Sequence, residues 1–285
     1  MNALQPVTMT PHELSEIRGL IQQRSGIVFD ESRARFFSHR LREHMEHKAL
    51  ARATDVIRLV KSSNVEYDQL LERVLTQETS FFRYPAIFQA LERRVIPEIH
   101  ARKRWASPRS LRVWSAGCST GEEPYSIAIT LCDALENSET WDIQVLATDI
   151  SRRALQAAEA GRYARRDLAA LAPEQIDSYF DRSGADYVVR RKLRELITFA
   201  PMNLAHMVYM GRFDCIFCMN VLIYFSQELR AALIQRFSDY LLPGGYLFLG
   251  HAESMAKAGV GLESIVVGDS LIYRKAGAPA IGGKP

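Results

Sequence analysis

Between Leu111 and Tyr125 an apolar, strand-like run breaks after Trp114 into the turn Ser115-Ala116-Gly117-Cys118-Ser119-Thr120-Gly121, then reopens as a helix at Glu122-Glu123-Pro124-Tyr125. A strand that feeds a helix through a glycine turn belongs to an alternating α/β architecture, and it puts a ligand crevice at that turn. Gly117 and Gly121 let the backbone approach a ligand closely. The turn lacks the lysine of a phosphate-cradling loop and carries two carboxylates instead. Phosphate is repelled from such a turn; a cationic group is welcome.

The rest of the chain supports two textures. From Pro11 to Thr76 apolar residues such as Leu14, Ile17, Leu20 and Ile21 recur at helical spacing, with Ser25-Gly26 as a stop. Asp30 is placed to cap Glu31 to His47 and Thr54 to cap Asp55 to Lys61, and Glu66 to Leu75 completes an all-helical domain over 11–76. Residues 77–107 read as a linker and a helix (Ala86 to Lys103) ending at a polar hinge, Ser107-Pro108. Over 108–275, strands (Leu111 to Ser115, Ile143 to Thr148, Phe213 to Met219, Tyr246 to Gly250) alternate with helices (Glu123 to Leu135, Arg152 to Ala160, Gln227 to Leu241). This pattern predicts a Rossmann-like α/β domain built on a parallel sheet, preceded by the all-helical domain. Pro243-Gly244-Gly245 reads as a sharp turn, and 181–200, with Tyr187-Val188-Val189 and Ile197-Thr198-Phe199, as a small antiparallel β insertion. Residues 1–10 and the glycine- and proline-rich 276–285 read as flexible ends.

Composition narrows the class. At 285 residues, 47% hydrophobic and net charge +3, the chain has no apolar run long enough to cross a bilayer and no secretory leader pattern, so a cytoplasmic location is expected. Four cysteines (Cys118, Cys132, Cys215, Cys218) sit in element cores and read as reduced thiols. The Cys215/Cys218 pair lacks a second pair, which argues against zinc, and no metal is expected.

At the end of the second strand, Asp149 stands where a carboxylate accepts both hydroxyl protons of a ribose; its plainer role is to cap the helix from Ser151. A dinucleotide needs free backbone N–H groups and no carboxylate crowding, which Glu122 and Glu123 oppose. S-adenosylmethionine has no phosphate, and its ammonium and sulfonium groups are positive, so the two glutamates favour it.

The run Val113 to Ala128, with Trp114-Ser115-Ala116-Gly117-Cys118-Ser119-Thr120-Gly121-Glu122-Glu123-Pro124-Tyr125 at its centre, closely resembles the chemotaxis-receptor glutamate O-methyltransferases, the CheR family. Thr76-Gln77-Glu78-Thr79-Ser80-Phe81-Phe82-Arg83, Ala147-Thr148-Asp149-Ile150, Met202-Asn203-Leu204, the stretch from Phe213 to Phe225, and Gly250-His251-Ala252-Glu253-Ser254 follow in family order. The resemblance implies that Gln77, Thr79, Arg83, the turn at Gly117, one of Glu122 and Glu123, Asp149, Asn203, Leu204, Met219 and Asn220 line an S-adenosylmethionine pocket. It departs at Met219, where relatives usually carry arginine; a contact through the backbone survives that change.

The implied reaction is methyl-ester formation on receptor glutamates, whose carboxylates (pKa ≈ 4.3) are already ionised and need no general base. Arg83 and Tyr224 are expected to orient the reactants. The basic segment Arg33 to Arg52 offers a docking face for glutamate-rich receptor helices, and nothing in the chain carries a nucleic-acid-binding signature. The short turn Arg182-Ser183-Gly184-Ala185-Asp186 suggests independence from a receptor C-terminal tethering peptide. Two other readings are a non-catalytic adaptor that keeps the pocket as a sensor, and a nicotinamide-dependent oxidoreductase.

Overall fold

A computed structural model describes residues 9–135, 137–208, 210–253 and 261–277. The terminal segments 1–8 and 278–285, read above as parts of flexible ends, and Ser254 of the last motif lie outside the described residues. Two compact units emerge, one made of residues up to Thr76 together with Tyr224–Leu229, the other of Gln77–Ile223 and the chain from Arg230 onward.

In the first unit, α1 (Pro11–Ser25) opens on a reciprocal cap: Glu13 N donates to Thr10 Oγ1, and Thr10 N donates to Glu13 Oε2. It stops at Gly26, whose φ of 77° is left-handed. Helix α2 (Glu31–His47) is capped by Asp30, α3 spans Ala53–Ser62, and α4 (Asn64–Val74) is capped by Ser63. Thr54 is not a cap: α3 begins a residue before it, after Arg52, with no side-chain cap bond. The helices bury Ile17, Ile21, Phe37, Leu41, Met45, Val56, Val60, Leu70 and Val74. Each such side chain is worth about 1.5–3 kcal/mol of transfer free energy, which holds short helices that would fray alone. Tyr224–Leu229 joins this unit through an antiparallel bridge between Ile27 and Phe225 and a 2.8 Å bond from Val28 N to the Tyr224 carbonyl.

The second unit begins with the linker and α5 (Pro85–Ala90), which passes through a wide π turn (Leu91–Val95) into α6 (Ile96–Lys103). Next come β1 (Arg109–Ala116), α7 (Glu122–Ala134), β2 (Trp141–Asp149), α8 (Arg152–Ala160), β3 (Arg162–Ala164), α9 (Pro173–Tyr179), β4 (Phe180–Ser183), β5 (Asp186–Val189), α10 (Arg191–Arg194) and β6 (Ile197–Pro201). The chain closes with β7 (Phe213–Cys218), α11 (Gln227–Tyr240), β8 (Leu241–Leu249), β9 (Leu262–Val267) and β10 (Ser270–Lys275). Seven strands form one sheet in the order β6-β2-β1-β7-β8-β10-β9, parallel from β6 to β8 and antiparallel beyond. All of β7 is buried, as expected of a strand covered on both faces.

Two expectations are corrected here. Ile197-Thr198-Phe199 does not belong to the small sheet; it pairs in parallel with Val145-Leu146-Ala147 at the edge of the large one. The three-stranded antiparallel sheet is β3-β5-β4 and recruits Arg162-Tyr163-Ala164 instead. Pro243-Gly244-Gly245 lies inside β8 and not in a turn before it, where the pairing with β7 shifts register between Phe213 and Cys215. Asp214, fully buried at that irregularity, accepts from Lys103 Nζ (2.6 Å), Arg102 Nη2 (3.3 Å) and Arg112 N (3.0 Å). No helix among the described residues is long and apolar enough to cross a membrane.

Candidate cofactor site

β1 has β2 on one side and β7 on the other, so the chain leaves its C-terminal end in opposite directions and opens a crevice there. The glycine turn is fastened to β2: Gly117 N and Cys118 N both donate to the Thr148 carbonyl, at 2.7 and 2.9 Å. Gly117 has φ +87°, and a Cβ there would come within 2.4 Å of Val221 Cγ2, so both conformation and space demand glycine. Asp149 spans the crevice floor. Its Oδ2 accepts from Ser119 N and its Oδ1 from Ser151 N, each at 2.8 Å. The cap of α8 is Ser151, whose Oγ accepts from Ala154 N, so Asp149 is not the capping residue.

Glu122 and Glu123 differ in their surroundings. Glu122 Oε2 accepts from Thr120 Oγ1 at 2.7 Å, and burial holds its carboxyl above the usual range. Glu123 Oε1 accepts from Ser115 Oγ at 2.6 Å, and its carboxyl is pushed up to about 7, chiefly by burial. Ser115 and the Arg83 guanidinium oppose that rise, whereas the Glu253 carboxylate adds to it. An incoming cation would restore the charge that burial suppresses.

The linker closes over the helix start. Phe82 N donates to Ser126 Oγ at 2.9 Å, Gln77 Nε2 to Ser151 Oγ at 3.0 Å, and Arg83 Nη1 to the Glu78 carbonyl at 2.8 Å. Thr79 is half-buried on the same loop, and Phe82 and Tyr84 both take left-handed backbone, φ 50° and 65°. On the far side, Met202 N donates to the Asp149 carbonyl, Asn203 Oδ1 accepts from Ala205 N, and Leu204 is buried. Met219 turns its side chain into the core, leaving only backbone for a ligand, and Asn220 follows with φ 61°. Tyr224 belongs to the helical unit, its ring beneath the Arg33 guanidinium at 4.4 Å. Sequence reasoning missed Ser115, Ser119 and Tyr84 as contributors here; all lie in or beside the motifs named above. The Cys215 and Cys218 thiols are buried in β7, and burial pushes both well up.

Which cofactor fits follows from the donors. The N–H groups of Gly117, Cys118 and Ser119 are already given to Thr148 and Asp149, so these three amides of the turn are not offered to a pyrophosphate. Meanwhile Ser119 Oγ and Asn220 Oδ1 are buried with no hydrogen-bond partner in the protein, and three carboxylates, Glu122, Glu123 and Asp149, ring the turn. Uncommitted polar atoms among acids suit a nucleoside that carries positive charge and no phosphate. The fold and site thus define a Rossmann-like methyltransferase domain. Residues 77–266 match the family described as CheR methyltransferase, SAM binding domain, and residues 12–75 match the CheR methyltransferase all-alpha domain. The chain belongs to the CheR methyltransferase family, and S-adenosylmethionine is its cofactor. It is similar to the chemotaxis protein methyltransferase of Klebsiella aerogenes, 36% identical over 89% of this chain and 87% of that one. The Escherichia coli protein of the same description is 36% identical over 84% and 83% of the two chains, and chemotaxis protein methyltransferase 1 of Pseudomonas aeruginosa 32% identical over 90% and 95%.

Proposed function

We propose that this enzyme esterifies glutamate side chains of chemoreceptors in the cytoplasm, with Gln77, Thr79, Arg83, Gly117, Glu123, Asp149, Asn203, Leu204, Met219 and Asn220 holding the cofactor. When bound, S-adenosylmethionine supplies an electrophilic methyl; the carboxylate O–C bond forms as the S–C bond breaks, its electron pair passing to sulfur. No proton moves, so the chain's task is positioning and charge balance. Asp149 would accept from the ribose hydroxyls and Glu123 would face the cationic part of the cofactor. Arg83 would hold the incoming carboxylate, and Tyr224 would orient it.

The observation that carries this reading is the buried Glu123, its carboxyl raised, at a turn whose Gly117, Cys118 and Ser119 amides are already committed within the protein. Docking rests on α2, where Arg35, His39 and Arg42 are exposed at i, i+4 and i+7 and share one stripe. Arg40 is held by Glu43 at 3.0 Å and Lys48 by Glu66 at 2.9 Å, so the attraction for acidic helices falls mainly to Arg35 and Arg42. The β4–β5 connection is only Gly184-Ala185, which supports independence from a tethering peptide.

The test is transfer of labelled methyl from S-adenosylmethionine to a cytoplasmic receptor fragment, with base-labile release and mass mapping of the esters. Label on any residue other than glutamate, or none, would overturn the proposal.

A further inference from the structure

We infer that Glu253 is a positioning residue for methyl transfer, a buried carboxylate that sets the turn presenting Met219 and Asn220 to the cofactor. This rests on the reading that the Met219-Asn220 turn touches the cofactor. Glu253 is only 7% exposed, and three backbone N–H groups converge on it. Oε2 accepts from Asn220 N and Gly250 N, both at 2.8 Å, and Oε1 accepts from Ile223 N at 3.1 Å. A carboxylate with this many amide donors is satisfied without a cation, and in return it fixes the donors.

The donors are the informative part. Asn220 and Ile223 bracket the turn that leaves β7, and Gly250 is the first residue past β8. One side chain therefore joins two neighbouring parallel strands just past their paired region, where no ladder bond can. Asn220 is a non-glycine residue with φ 61°, a conformation that needs outside support to persist. Its N–H is held by Glu253, while its Nδ2 donates to Tyr84 Oη at 3.0 Å, tying the turn to the residue after Arg83. The His251 ring meets Tyr84 edge-on, centroids 4.8 Å apart, and closes the same cluster. Asn220 Oδ1 is left buried and uncommitted by this arrangement. Gly250 completes the fit: a Cβ there would lie 2.7 Å from Glu253 Oε2 and 3.0 Å from Asn220 N.

Three variants of the full chain test the assignment: Glu253→Gln, Gly250→Ala and Asn220→Gly. Each is titrated calorimetrically with S-adenosylhomocysteine and assayed for methyl transfer to a receptor fragment. Glu253→Gln keeps shape but turns an amide N–H toward Ile223 N or the Asn220/Gly250 pair, so one donor faces another. The expected result is about a tenfold loss in S-adenosylhomocysteine affinity and in kcat, with KM for the receptor fragment unchanged. A merely structural role would lower the melting temperature without that split. Gly250→Ala, which displaces the same carboxylate, should show the same pattern and decides the matter if Glu253→Gln does not fold. Asn220→Gly keeps the left-handed backbone and removes the side chain. If it weakens cofactor binding while both clamp variants match wild type, the positioning role of Glu253 is overturned and the site reading stands. If all three match wild type, both are overturned.

Discussion

The Ser119 backbone N–H donates to Asp149 Oδ2 at 2.8 Å, so the carboxylate at the end of the second strand also braces the glycine turn of the first. The same acid receives Ser151 N through its other oxygen. Asp149 thus has two tasks, and its removal should be felt twice. Asp149→Ala is expected to cost about 1–3 kcal/mol of stability, because two N–H groups lose their acceptor, and to weaken S-adenosylhomocysteine binding by tenfold or more. Thermal melts and calorimetric titration measure the two effects separately. Unchanged binding would sink the ribose role.

With Glu123 facing the cofactor as proposed, affinity is expected to depend on pH. Its folded value of about 7 lies above the 4.5 of an ordinary glutamate, so the protonated side chain stabilises the empty protein below pH 4.5, and that contribution is lost as pH rises through about 7. A bound cation reverses the preference. Affinity for S-adenosylmethionine should rise roughly tenfold between pH 6 and pH 8, since a unit below its midpoint the group is only about a tenth ionised. Glu123→Gln should flatten that profile. A steep profile in the variant would assign the titration elsewhere.

Asp214 anchors the sheet to the helix before it. With Lys103 and Arg102 on a fully buried carboxylate, Asp214→Asn should destabilise the enzyme by about 3 kcal/mol, a drop in Tm of roughly 6–12 °C. A melting curve checks it; a shift under a few degrees would mean the site relaxes around the amide.

On α2, reversal of Arg35 and Arg42 to glutamate should lower kcat/KM for an acidic receptor fragment by about tenfold at low salt and less at high salt, with S-adenosylhomocysteine affinity unmoved. The Arg40 reversal should do less to docking, since Glu43 already occupies its guanidinium. Equal activity after the double change would dismiss the docking stripe.

Much of the parallel sheet was legible because strands covered on both faces read as unbroken apolar runs, as in Phe213 to Cys218. Ile197-Thr198-Phe199 misled for the complementary reason. Only Ile197 in that edge strand is buried, so its pattern imitates a surface hairpin. At Pro243-Gly244-Gly245 the local turn rule lost to tertiary pairing, which absorbs the residues as an irregularity beside Asp214. Within the site, the glycine turn and Asp149 announced themselves through local chemistry. The Glu253 clamp reaches residues 30 and 33 positions away, and Tyr84 reaches Asn220 across 136; no local pattern encodes such pairings.

The wide turn at Leu91–Val95 sets the phase of everything that follows in its helix. Ile96 and Ile99 point into the core, while Arg102 and Lys103 meet Asp214, only because the chain carries one more residue per turn in that window. Inserting a further residue there, or winding the same residues as regular α-helix, would rotate the downstream segment by roughly 100°. That would swing two isoleucines toward water and strand a buried carboxylate without its cations, so length in this stretch is as constrained as identity.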